Sequence, residues 1–228
     1  MNANIKYVNV RKGYNRLARV YDLLASIFFF NRINKSQTAL LPYVPDFERC
    51  LIIGGGSGYF LEKLLSQKSM GRIIYIDLSD VMIEKAQRRI AERMPLELHR
   101  IEFRCTSFDD NWNESFDLTV FNFFLDQFPE KVVAEILEKC NANLTNRGLL
   151  YITDFAIPVS NKFFNGLSKS LLKLLYRFFK MTTAIEADTL PDLPFLLSTN
   201  QFECIQSVSF WHGIMVSSLY QKRHPLTS

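Results

Sequence analysis

The stretch CLIIGGGSGYF, Cys50–Phe60, places a short apolar run directly before four glycines and a single serine. A packed core has no need of so many glycines, because each one lacks a side chain to bury and costs conformational entropy. A glycine-rich turn after a strand instead lets a ligand approach the backbone closely. The turn therefore predicts a binding site, and the residues around it narrow the choice of ligand.

Helices and strands are predicted to alternate after this loop. YFLEKLLSQ predicts a helix, RIIYID a second strand, and DVMIEKAQRRIAERM a helix that Ser79 caps and that ends before Pro95. IEFRC and FDLTVFNF predict the third and fourth strands. Strands that alternate with helices in this way indicate a parallel sheet with helical crossovers.

The second half of the chain predicts the rest of the sheet. A helix is expected from Pro129 through Asn143, closed by Gly148, and LLYITDF predicts a fifth strand. The last stretch, FECIQSVSFWHGIMVSSLYQK, predicts two strands joined near His212–Gly213 as an antiparallel hairpin. The expected fold is α/β, a doubly wound and mostly parallel seven-stranded sheet, with its ligand at the carboxyl ends of the strands.

Metal and disulfide frameworks are disfavoured by the cysteines. The four cysteines stand far apart, without a C-x-x-C pair or nearby histidines, so we expect no metal site and four reduced thiols, mostly buried: Cys50, Cys105, Cys140 and Cys204. The net charge of +4 is too mild to indicate a nucleic-acid partner by itself.

The spacing of the glycines argues against phosphate ligands. A mononucleotide loop needs a lysine and a hydroxyl after its last glycine, where this chain has Tyr59 and Phe60. A dinucleotide loop needs a third glycine at the position of Tyr59, so that hypothesis is disfavoured. The pattern Gly54-x-Gly56-x-Gly58 suits a phosphate-free nucleoside, whose ribose and amino-acid tail must come close to the backbone.

Asp77 ends the second predicted strand, about twenty residues after the loop. A carboxylate there can accept hydrogen bonds from both hydroxyls of a ribose, and such charge-assisted bonds are strong. The alternative role is an aspartate that caps a helix or holds a turn. Loop, spacing and strand order together favour ribose binding.

With these motifs the sequence resembles the class I S-adenosylmethionine-dependent methyltransferases. The resemblance runs from YNRLARVYDLLA through LIIGGGSG, IYIDLS, SFDLTVFNFFLDQF and GLLYITDF to the closing hairpin, and is loosely closest to the ubiquinone and menaquinone biosynthesis group. It implies the seven-stranded Rossmann-like methyltransferase fold and S-adenosyl-L-methionine as cofactor. The cofactor-binding residues it implies are Gly54, Gly55, Gly56, Gly58, Asp77, Leu78, Thr106, Ser107, Phe108, Asn122 and Tyr21.

The chain departs from this family at two places. Members commonly carry an acid two residues before the first glycine, where this chain has Ile52, and LIIGGGSG also resembles the loop of aminopropyltransferases such as spermidine synthase. After strand three, members often carry an acid that reaches the adenine amine. Here CTSF offers Thr106 and Ser107, with Phe108 as a ring neighbour and Asp109 as a substitute acid.

The chain is expected to form a single domain. Its 228 residues, 48% hydrophobic and 22% charged, suit one globular unit. We divide it into an N-terminal helical cap (1–45), a cofactor-binding core (46–154), a helical acceptor or lid insert (155–200) and a closing hairpin (201–228). No apolar stretch is long enough to cross a bilayer and the N-terminus lacks a signal-peptide core, so a cytoplasmic location is expected.

Methyl transfer from a sulfonium mainly needs alignment and the exclusion of water. A base is needed only where the acceptor must lose a proton that solvent does not take. In NFFLDQF, after strand four, Asp126 is the candidate base or acceptor-orienting carboxylate, and Asn122 a polar contact for the methionine end or the acceptor. The alternatives are that Asp126 caps the next helix and that Phe123 and Phe124 are core residues rather than neighbours of the sulfonium.

Four other residues are weaker candidates. The resemblance places Tyr14 and Tyr21 in a segment that folds over the cofactor pocket. Asp154 ends strand five and faces the same crevice, with a turn role as the alternative. His212 lies in the hairpin, where a surface or turn histidine is the simpler interpretation.

The basic amphipathic segment Asn161–Met181 bears on the acceptor. Its phenylalanines and leucines predict an apolar pocket, which suits a small hydrophobic or aromatic acceptor such as a quinone or phenol. Its lysines suit contact with an anionic membrane surface, which would make the protein peripheral to the inner membrane face, or else a solvated helix face.

Other functions remain open at this point. A phospholipid or other lipid acceptor suits the basic face equally well. An aminopropyltransferase would need an acidic pocket, and a non-catalytic cofactor-binding protein is compatible with Ile52. A nucleic-acid substrate is disfavoured, because the chain lacks an RNA-binding module, a long basic tract and the Asn-Pro-Pro-aromatic loop of DNA amino-methylating enzymes.

Overall fold

The structure is a computed structural model that describes residues 32–69, 71–108, 114–156 and 190–223. Of the predicted N-terminal helical cap (1–45), the described part contains α1, Arg32–Thr38, followed by a 3-10 turn at Leu41–Tyr43. Tyr14, Tyr21, Asp109 and the basic segment Asn161–Met181 lie outside the described residues.

Seven strands form one sheet in the order β3-β2-β1-β4-β5-β7-β6. The first five strands are parallel to their neighbours, and β7 runs antiparallel between β5 and β6. The predicted doubly wound sheet with a C-terminal hairpin is therefore confirmed. The strands are β1 Arg49–Ile53, β2 Arg72–Asp77, β3 Ile101–Cys105, β4 Phe116–Asn122, β5 Leu144–Phe155, β6 Phe202–Phe210 and β7 Met215–Lys222.

The helices connect these strands much as the sequence predicts. The Ser79 hydroxyl accepts a hydrogen bond from Met82 N at 3.2 Å and so caps α3. Pro129 is the N-cap of α4 rather than its first helical residue. The helices after α1 are α2 Tyr59–Leu65, α3 Asp80–Arg93, α4 Glu130–Asn143 and α5 Leu193–Thr199, with 3-10 turns at Pro95–Arg100, Leu125–Gln127 and Trp211–Gly213.

The predicted role of Gly148 is wrong. Helix α4 ends at Asn143 and β5 begins immediately afterwards, so Gly148 lies inside a 12-residue strand instead of closing the helix. A Cβ at Gly148 would come within 2.5 Å of Leu144 Cγ and 2.9 Å of the Phe116 carbonyl oxygen. The glycine is therefore explained by close packing beside the register shift between β4 and β5.

Alternate residues of the central strands face two apolar layers. On β1, Cys50 and Ile52 face the layer covered by α2 and α3, whereas Leu51 and Ile53 face the layer covered by α4 and α5. Burial on both sheet faces is what a parallel sheet with helical crossovers requires. The two layers fix where the carboxyl ends of the strands emerge.

A third apolar group lies at the carboxyl edge of β4 and β5. We call it the edge cluster, and it comprises Ile33, Phe123, Phe155, Phe210, Trp211, Ile214 and Met215. It joins the first turn of α1, the ends of two parallel strands and the turn of the hairpin. An aromatic surface therefore stands beside the edge where a ligand is expected.

The cysteines correct one expectation. All four are free thiols, and because Cys105 and Cys204 are exposed while only Cys50 and Cys140 are buried, the expectation that they are mostly buried is wrong. Within the described residues there is no helix long and apolar enough to span a bilayer. The same residues contain no cluster of side chains suited to hold a metal ion.

Candidate active site

The site lies where the strand order turns, at the carboxyl ends of β1, β2 and β4. Gly54 follows β1, Asp77 ends β2 and Asn122 ends β4. Because β1 pairs in parallel with both β2 and β4, these three positions meet at one edge of the sheet. In doubly wound sheets, this crevice is where ligands bind.

Two glycines of the loop are required by close approach. Gly54 has φ +63°, and a Cβ there would come within 2.4 Å of the Phe124 ring. Gly58 has φ +82°, and its Cβ would lie 3.0 Å from Ala86 Cα in α3. Since left-handed backbone is unfavourable for residues with a side chain, both positions suit glycine on two counts.

The middle glycines differ in what surrounds them. A Cβ at Gly55 would come within 2.2 Å of the buried Tyr75 ring. At Gly56, with φ +67°, no atom of the described residues lies within 4 Å of a Cβ. The backbone of Gly56 therefore faces open space, and this is the point of the loop where a ligand has room to approach.

Asp77 lies half-buried beside that opening and holds the loop. Its Oδ2 accepts a hydrogen bond from Gly56 N and its Oδ1 accepts one from Ser79 N, both at 2.9 Å. Burial raises the pKa of Asp77 to about 6, although these two backbone donors act in the opposite direction. Each oxygen has a second lone pair, so the carboxylate can still accept two further hydrogen bonds. Ribose binding and a turn role are thus compatible.

Two other side chains hold carbonyl groups of the loop. The Tyr75 hydroxyl donates to Gly56 O at 2.9 Å, and Arg89 Nε donates to Ser57 O at 3.0 Å. Arg89 Nη1 also donates to Glu62 Oε2 at 3.0 Å, which ties α3 to α2. Neither the Tyr75 contact nor the Arg89 contact with the loop was predicted from the sequence. Tyr75 precedes Asp77 by two residues and could have been suspected, whereas no local pattern marks Arg89.

Glu62 is the buried partner of that arginine. It is 7% exposed, and its Oε1 also accepts a hydrogen bond from Arg93 Nη1 at 3.1 Å. Burial opposes its ionisation, but hydrogen bonds from Arg89 and Arg93 hold the pKa of Glu62 below its usual value. The glutamate is therefore a charged anchor for the arginine that reaches the loop.

Ile52 lies where the family commonly has an acid. It is 2% exposed and packs in the apolar layer of α2 and α3, between its register partners Tyr75 and Val120. Ile52 is therefore a core residue. Any ligand group that the acid would have held needs other partners in this chain.

The residues after β3 lie beside the end of β2. Thr106 and Ser107 are half-buried, as is Leu78, whose carbonyl accepts from Cys105 Sγ at 3.7 Å. Phe108 is 8% exposed, and its ring stands nearly perpendicular to that of Phe121 with 6.5 Å between centroids. These residues lie at the same edge as Asp77, and the Phe108 side chain also packs in the apolar layer of α4 and α5.

Phe123 turns the chain sharply after β4. Its φ of +52° is left-handed, a conformation that costs about 1–2 kcal/mol for a residue with a side chain. Its N–H donates to Thr153 O at 2.7 Å. The turn sends the Phe123 ring into the edge cluster, 4.9 Å from Phe155, and places Phe124 against Gly54. Strain of this kind often accompanies functional sites.

The two candidate catalytic residues flank this turn. Asn122 Oδ1 is buried and has no hydrogen-bond partner among the described residues. Asp126 lies in the 3-10 turn Leu125–Gln127 and is 8% exposed. Because Pro129 is the N-cap of α4, the alternative that Asp126 caps this helix is wrong.

Asp126 instead pairs with Asp154, the penultimate residue of β5. Asp154 Oδ2 accepts from Leu125 N and Asp126 N, and its Oδ1 accepts from Phe155 N, all at 3.1 Å. The two carboxyls are also hydrogen-bonded to each other, and burial raises the pKa of both, that of Asp126 to about 6. The sequence marks each aspartate as a separate candidate, and no local pattern links the two.

The remaining candidates are not assembled by the described residues. His212 lies in the 3-10 turn of the hairpin, but only its backbone is described. Tyr21, Tyr14 and Asp109 lie outside the described residues, so their predicted roles stay predictions.

Comparison with known proteins places this site in a family context. Residues 51–150 match the family model of a methyltransferase domain. No curated protein matches the chain. The predictions of a methyltransferase domain and of the methyltransferase fold are confirmed, while the loose likeness to the ubiquinone and menaquinone group stays a prediction.

Solved structures share the whole fold at low sequence identity. The N-methyltransferase NodS from Bradyrhizobium japonicum WM9, in complex with S-adenosyl-l-homocysteine, is 15% identical with a TM-score of 0.68, over 95% of this chain and 100% of that one. The mitomycin 7-O-methyltransferase MmcR is 15% identical with a TM-score of 0.64, over 91% of this chain. An O-methyltransferase family 2 protein from Planctomyces limnophilus DSM 3776, in complex with apigenin, is 17% identical with a TM-score of 0.66.

The lengths of these proteins differ. This chain spans 60% of the length of MmcR and 61% of that of the Planctomyces protein, but all of NodS. The prediction of S-adenosylmethionine as methyl donor agrees with these comparisons.

Proposed function

We propose that this chain, whose residues 51–150 match a methyltransferase domain, transfers the methyl group of S-adenosyl-L-methionine to a small acceptor. One observation carries the proposal: the open face of Gly56 stands beside a carboxylate, Asp77, that bonds Gly56 N and keeps lone pairs for two hydroxyl donors. A nucleoside without phosphates suits that combination.

The residues of the site fit this cofactor. Asp77 would accept the ribose hydroxyls, with Leu78 beside it, and Thr106, Ser107 and Phe108 are the proposed neighbours of the adenine. Asn122 Oδ1, which has no hydrogen-bond partner among the described residues, would accept from the ammonium group of the methionine end, which the core residue Ile52 cannot bind. Gly54, Gly55, Gly56 and Gly58 let the loop approach the ligand.

The chain's own residues have three tasks in the reaction. When bound, the cofactor supplies a methyl group already activated by a sulfonium. The glycine loop and Asp77 orient that group, and the edge cluster excludes water from it. We propose that Asp126 takes the acceptor's proton or orients the acceptor, since its carboxyl lies two residues after the ring that touches Gly54.

The proposed acceptor is small and hydrophobic or aromatic, such as a quinone or phenol. The aromatic residues of the edge cluster support this, because Phe123, Phe155 and Trp211 offer flat apolar surface beside the site. Fold neighbours with O- and N-methyltransferase names, one of them in complex with apigenin, are consistent with it. The loose likeness to the quinone biosynthesis methyltransferases points the same way.

A lipid acceptor is the second candidate. It draws support from the basic segment Asn161–Met181, whose composition suits a membrane surface. With it comes the proposal of a cytoplasmic protein peripheral to the inner membrane face. Aminopropyl transfer and non-catalytic cofactor binding are the remaining alternatives, and turnover separates them from methyl transfer.

The test is formation of S-adenosylhomocysteine by the purified chain with S-adenosylmethionine and a panel of quinones, phenols and phospholipid vesicles. We expect turnover with a quinone or phenol, loss of turnover in Asp77→Asn and its retention in Asp117→Asn. Asp117 is a suitable control because it accepts backbone hydrogen bonds from Glu48 and Arg49 at the amino edge of the sheet, far from the loop. Cofactor binding without turnover, or turnover only of decarboxylated S-adenosylmethionine with a polyamine, would contradict the proposal.

A further inference from the structure

We infer that Asp126 and Asp154 act as one proton-sharing carboxyl pair that accepts the acceptor's proton, so that the methyl group goes to a hydroxyl or amine. This inference rests on the proposed methyl transfer and deepens it by naming the kind of atom methylated. It also gives Asp154, which accepts three backbone hydrogen bonds, a part in the reaction.

The carboxyl pair is connected to the glycine loop through the short segment Phe124–Asp126. The Phe124 ring packs on Gly54, and the next two residues donate their N–H groups to Asp154 Oδ2. Phe155, adjacent to Asp154, packs its ring on Phe123 in the edge cluster. Residues beside the carboxyl pair in the chain thus contact both the loop proposed to hold the methyl donor and the aromatic surface proposed to hold the acceptor.

The two carboxyls differ in their hydrogen-bond partners and in their tendency to ionise. Asp154 accepts three backbone N–H groups, which favours its ionised form. Asp126 shares a hydrogen bond with Asp154, and such a bond between two carboxyls needs a proton. Burial, the charge of Asp126 and the hydrogen bond to Asp126 nevertheless raise the pKa of Asp154 well above its usual value, whereas the same hydrogen bond acts to lower the pKa of Asp126. The shared proton is thus held on Asp154 and the negative charge on Asp126.

Burial limits the pair to one charge. Asp154 is 3% exposed and Asp126 is 8% exposed, so ionising both would place two like charges in contact away from water. Burial, with the neighbouring carboxyl as the second cause for Asp154, raises the pKa of both groups, which matches a pair that keeps one proton at neutral pH. The singly charged pair can take one more proton.

Comparison with Asp117 shows that holding the backbone needs only one carboxyl. Asp117 Oδ2 accepts from Glu48 N and Arg49 N at 3.0 Å, and its third partner is the Thr145 hydroxyl at 3.1 Å. Asp154 has the same kind of backbone partners, but Asp126 takes the place of the hydroxyl. A second buried carboxyl is costly for the fold, which makes sense if it serves the chemistry.

The acceptor's oxygen or nitrogen forms a bond to the methyl carbon while the bond from that carbon to sulfur breaks and its electron pair stays on sulfur. The acceptor's proton passes to the carboxyl pair, which becomes neutral and later returns one proton to water. A carboxyl pair that accepts a proton near neutral pH suits a phenol or an amine, and it offers nothing to an acceptor without an exchangeable proton.

Infrared spectroscopy tests the shared proton independently of turnover. At pH 7.5 we expect the carbonyl band of a protonated carboxylic acid in the wild-type chain and in Asp117→Asn, but not in Asp126→Asn. The asparagine keeps the shape and donates an N–H to Asp154, so the chain is expected to fold. Absence of the band in the wild-type chain would overturn the inference and leave the proposed methyl transfer untouched.

Kinetics test the role of the pair in the reaction. The probes are substituted phenols and anilines, each paired with its O- or N-methylated form, together with S-adenosylmethionine. We expect kcat to fall about 100-fold in Asp126→Asn, with the KM values for both substrates within about threefold of wild type. The limb of the pH–rate profile that reflects protonation of the pair should disappear in Asp126→Asn and persist in Asp117→Asn. A merely structural carboxyl would not move that limb.

The double variant tests whether the carboxyls act as one unit. Asp126→Asn with Asp154→Asn should lose no more kcat than the worse single variant, because a unit fails when either member is removed. Additive losses, products methylated only on carbon, or no turnover of any probe by a chain that binds S-adenosylmethionine would overturn the inference. Failure to bind S-adenosylmethionine would instead contradict the proposed function.

Discussion

The donor half and the acceptor half of the site are built in different ways. The donor half is the loop Gly54–Gly58 with Asp77, and its contacts are mostly to backbone groups within a short stretch of chain. The acceptor half joins the turn after β4 to the end of β5 and to the hairpin, with side chains that contact across long sequence separations.

This difference explains what each half can tolerate. Backbone contacts need particular residue types, because only glycine permits the φ values and close approaches of the loop. Side-chain contacts between strand ends depend on which strands are neighbours, and many side chains could fill that space. We expect the donor half to fail sharply when altered and the acceptor half to change its chemistry while the fold persists.

The largest effect is expected from Gly55→Ala. Its Cβ would come within 2.2 Å of the fully buried Tyr75 ring, so either the loop or the ring must move. We expect a loss of about 3 kcal/mol in the free energy of unfolding, measured by urea denaturation, and loss of cofactor binding. Gly56→Ala is the matched control: its Cβ meets no atom of the described residues within 4 Å, so the only expected cost is the strain of φ +67°, about 1 kcal/mol of the free energy of unfolding. Equal losses in the two variants would contradict this account of the loop.

The next effect concerns the stability of the acceptor half against pH. Burial raises the pKa of Asp126 to about 6, so between about pH 4 and 6 the folded chain binds more protons than the unfolded chain. The free energy of unfolding should therefore fall as pH rises through this window, by between about 2 and 3 kcal/mol for a shift of this size.

Asp126→Asn removes this contribution because the amide stays neutral. We expect the variant to be more stable than wild type at pH 7.5 and to lose less stability between pH 4 and 7. The share that comes from Asp77, whose pKa burial also raises to about 6, should remain in both proteins. Parallel stability curves for wild type and variant would show that Asp126 does not titrate as a buried acid.

Asp77→Asn is expected to weaken S-adenosylmethionine binding about 30-fold, or by about 2 kcal/mol. The amide cannot accept hydrogen bonds at both of its ends, so either Gly56 N or the ligand loses a partner. Isothermal titration calorimetry measures the change. Asp117→Asn should stay within about twofold of wild type, and an equal loss there would mean that the effect is general destabilisation.

The smallest effect is expected at Arg89, which reaches the loop from α3. Arg89→Met removes the bond to Ser57 O and should weaken cofactor binding by about threefold to fivefold. Arg93→Met is the control, because Arg93 also pairs with Glu62 but makes no hydrogen bond to the glycine loop among the described residues. Equal changes in both variants would indicate that Glu62, rather than the contact with Ser57, matters for binding.

Most of the fold could be predicted from the sequence because its signals are local. Glycines, apolar runs and caps such as Ser79 gave the sheet, its hairpin and the end of α3. Gly148 was misassigned because a glycine after a helix usually ends it, whereas here a neighbouring leucine and a strand carbonyl exclude a side chain. This steric exclusion at Gly148 depends on the pairing of β4 with β5, which the local sequence does not reveal.

The candidate site was predictable to the extent that it is made of backbone. Asp77 could be placed because it ends a strand at a fixed distance from the glycines. The pairing of Asp126 with Asp154 could not, since it depends on adjacent strand ends 28 residues apart in sequence. Arg89 was missed for the same reason, because helix α3 presents it to a loop 32 residues earlier in the chain.

The glycine loop and Asp77 are proposed to hold S-adenosylmethionine. Calorimetric titration of the purified chain with S-adenosylmethionine and, separately, with NADH measures this binding. We expect saturable binding of S-adenosylmethionine in the micromolar range, lost or strongly weakened in Asp77→Asn, and no comparable heat with NADH. No binding of S-adenosylmethionine, or a preference for NADH, would contradict the account.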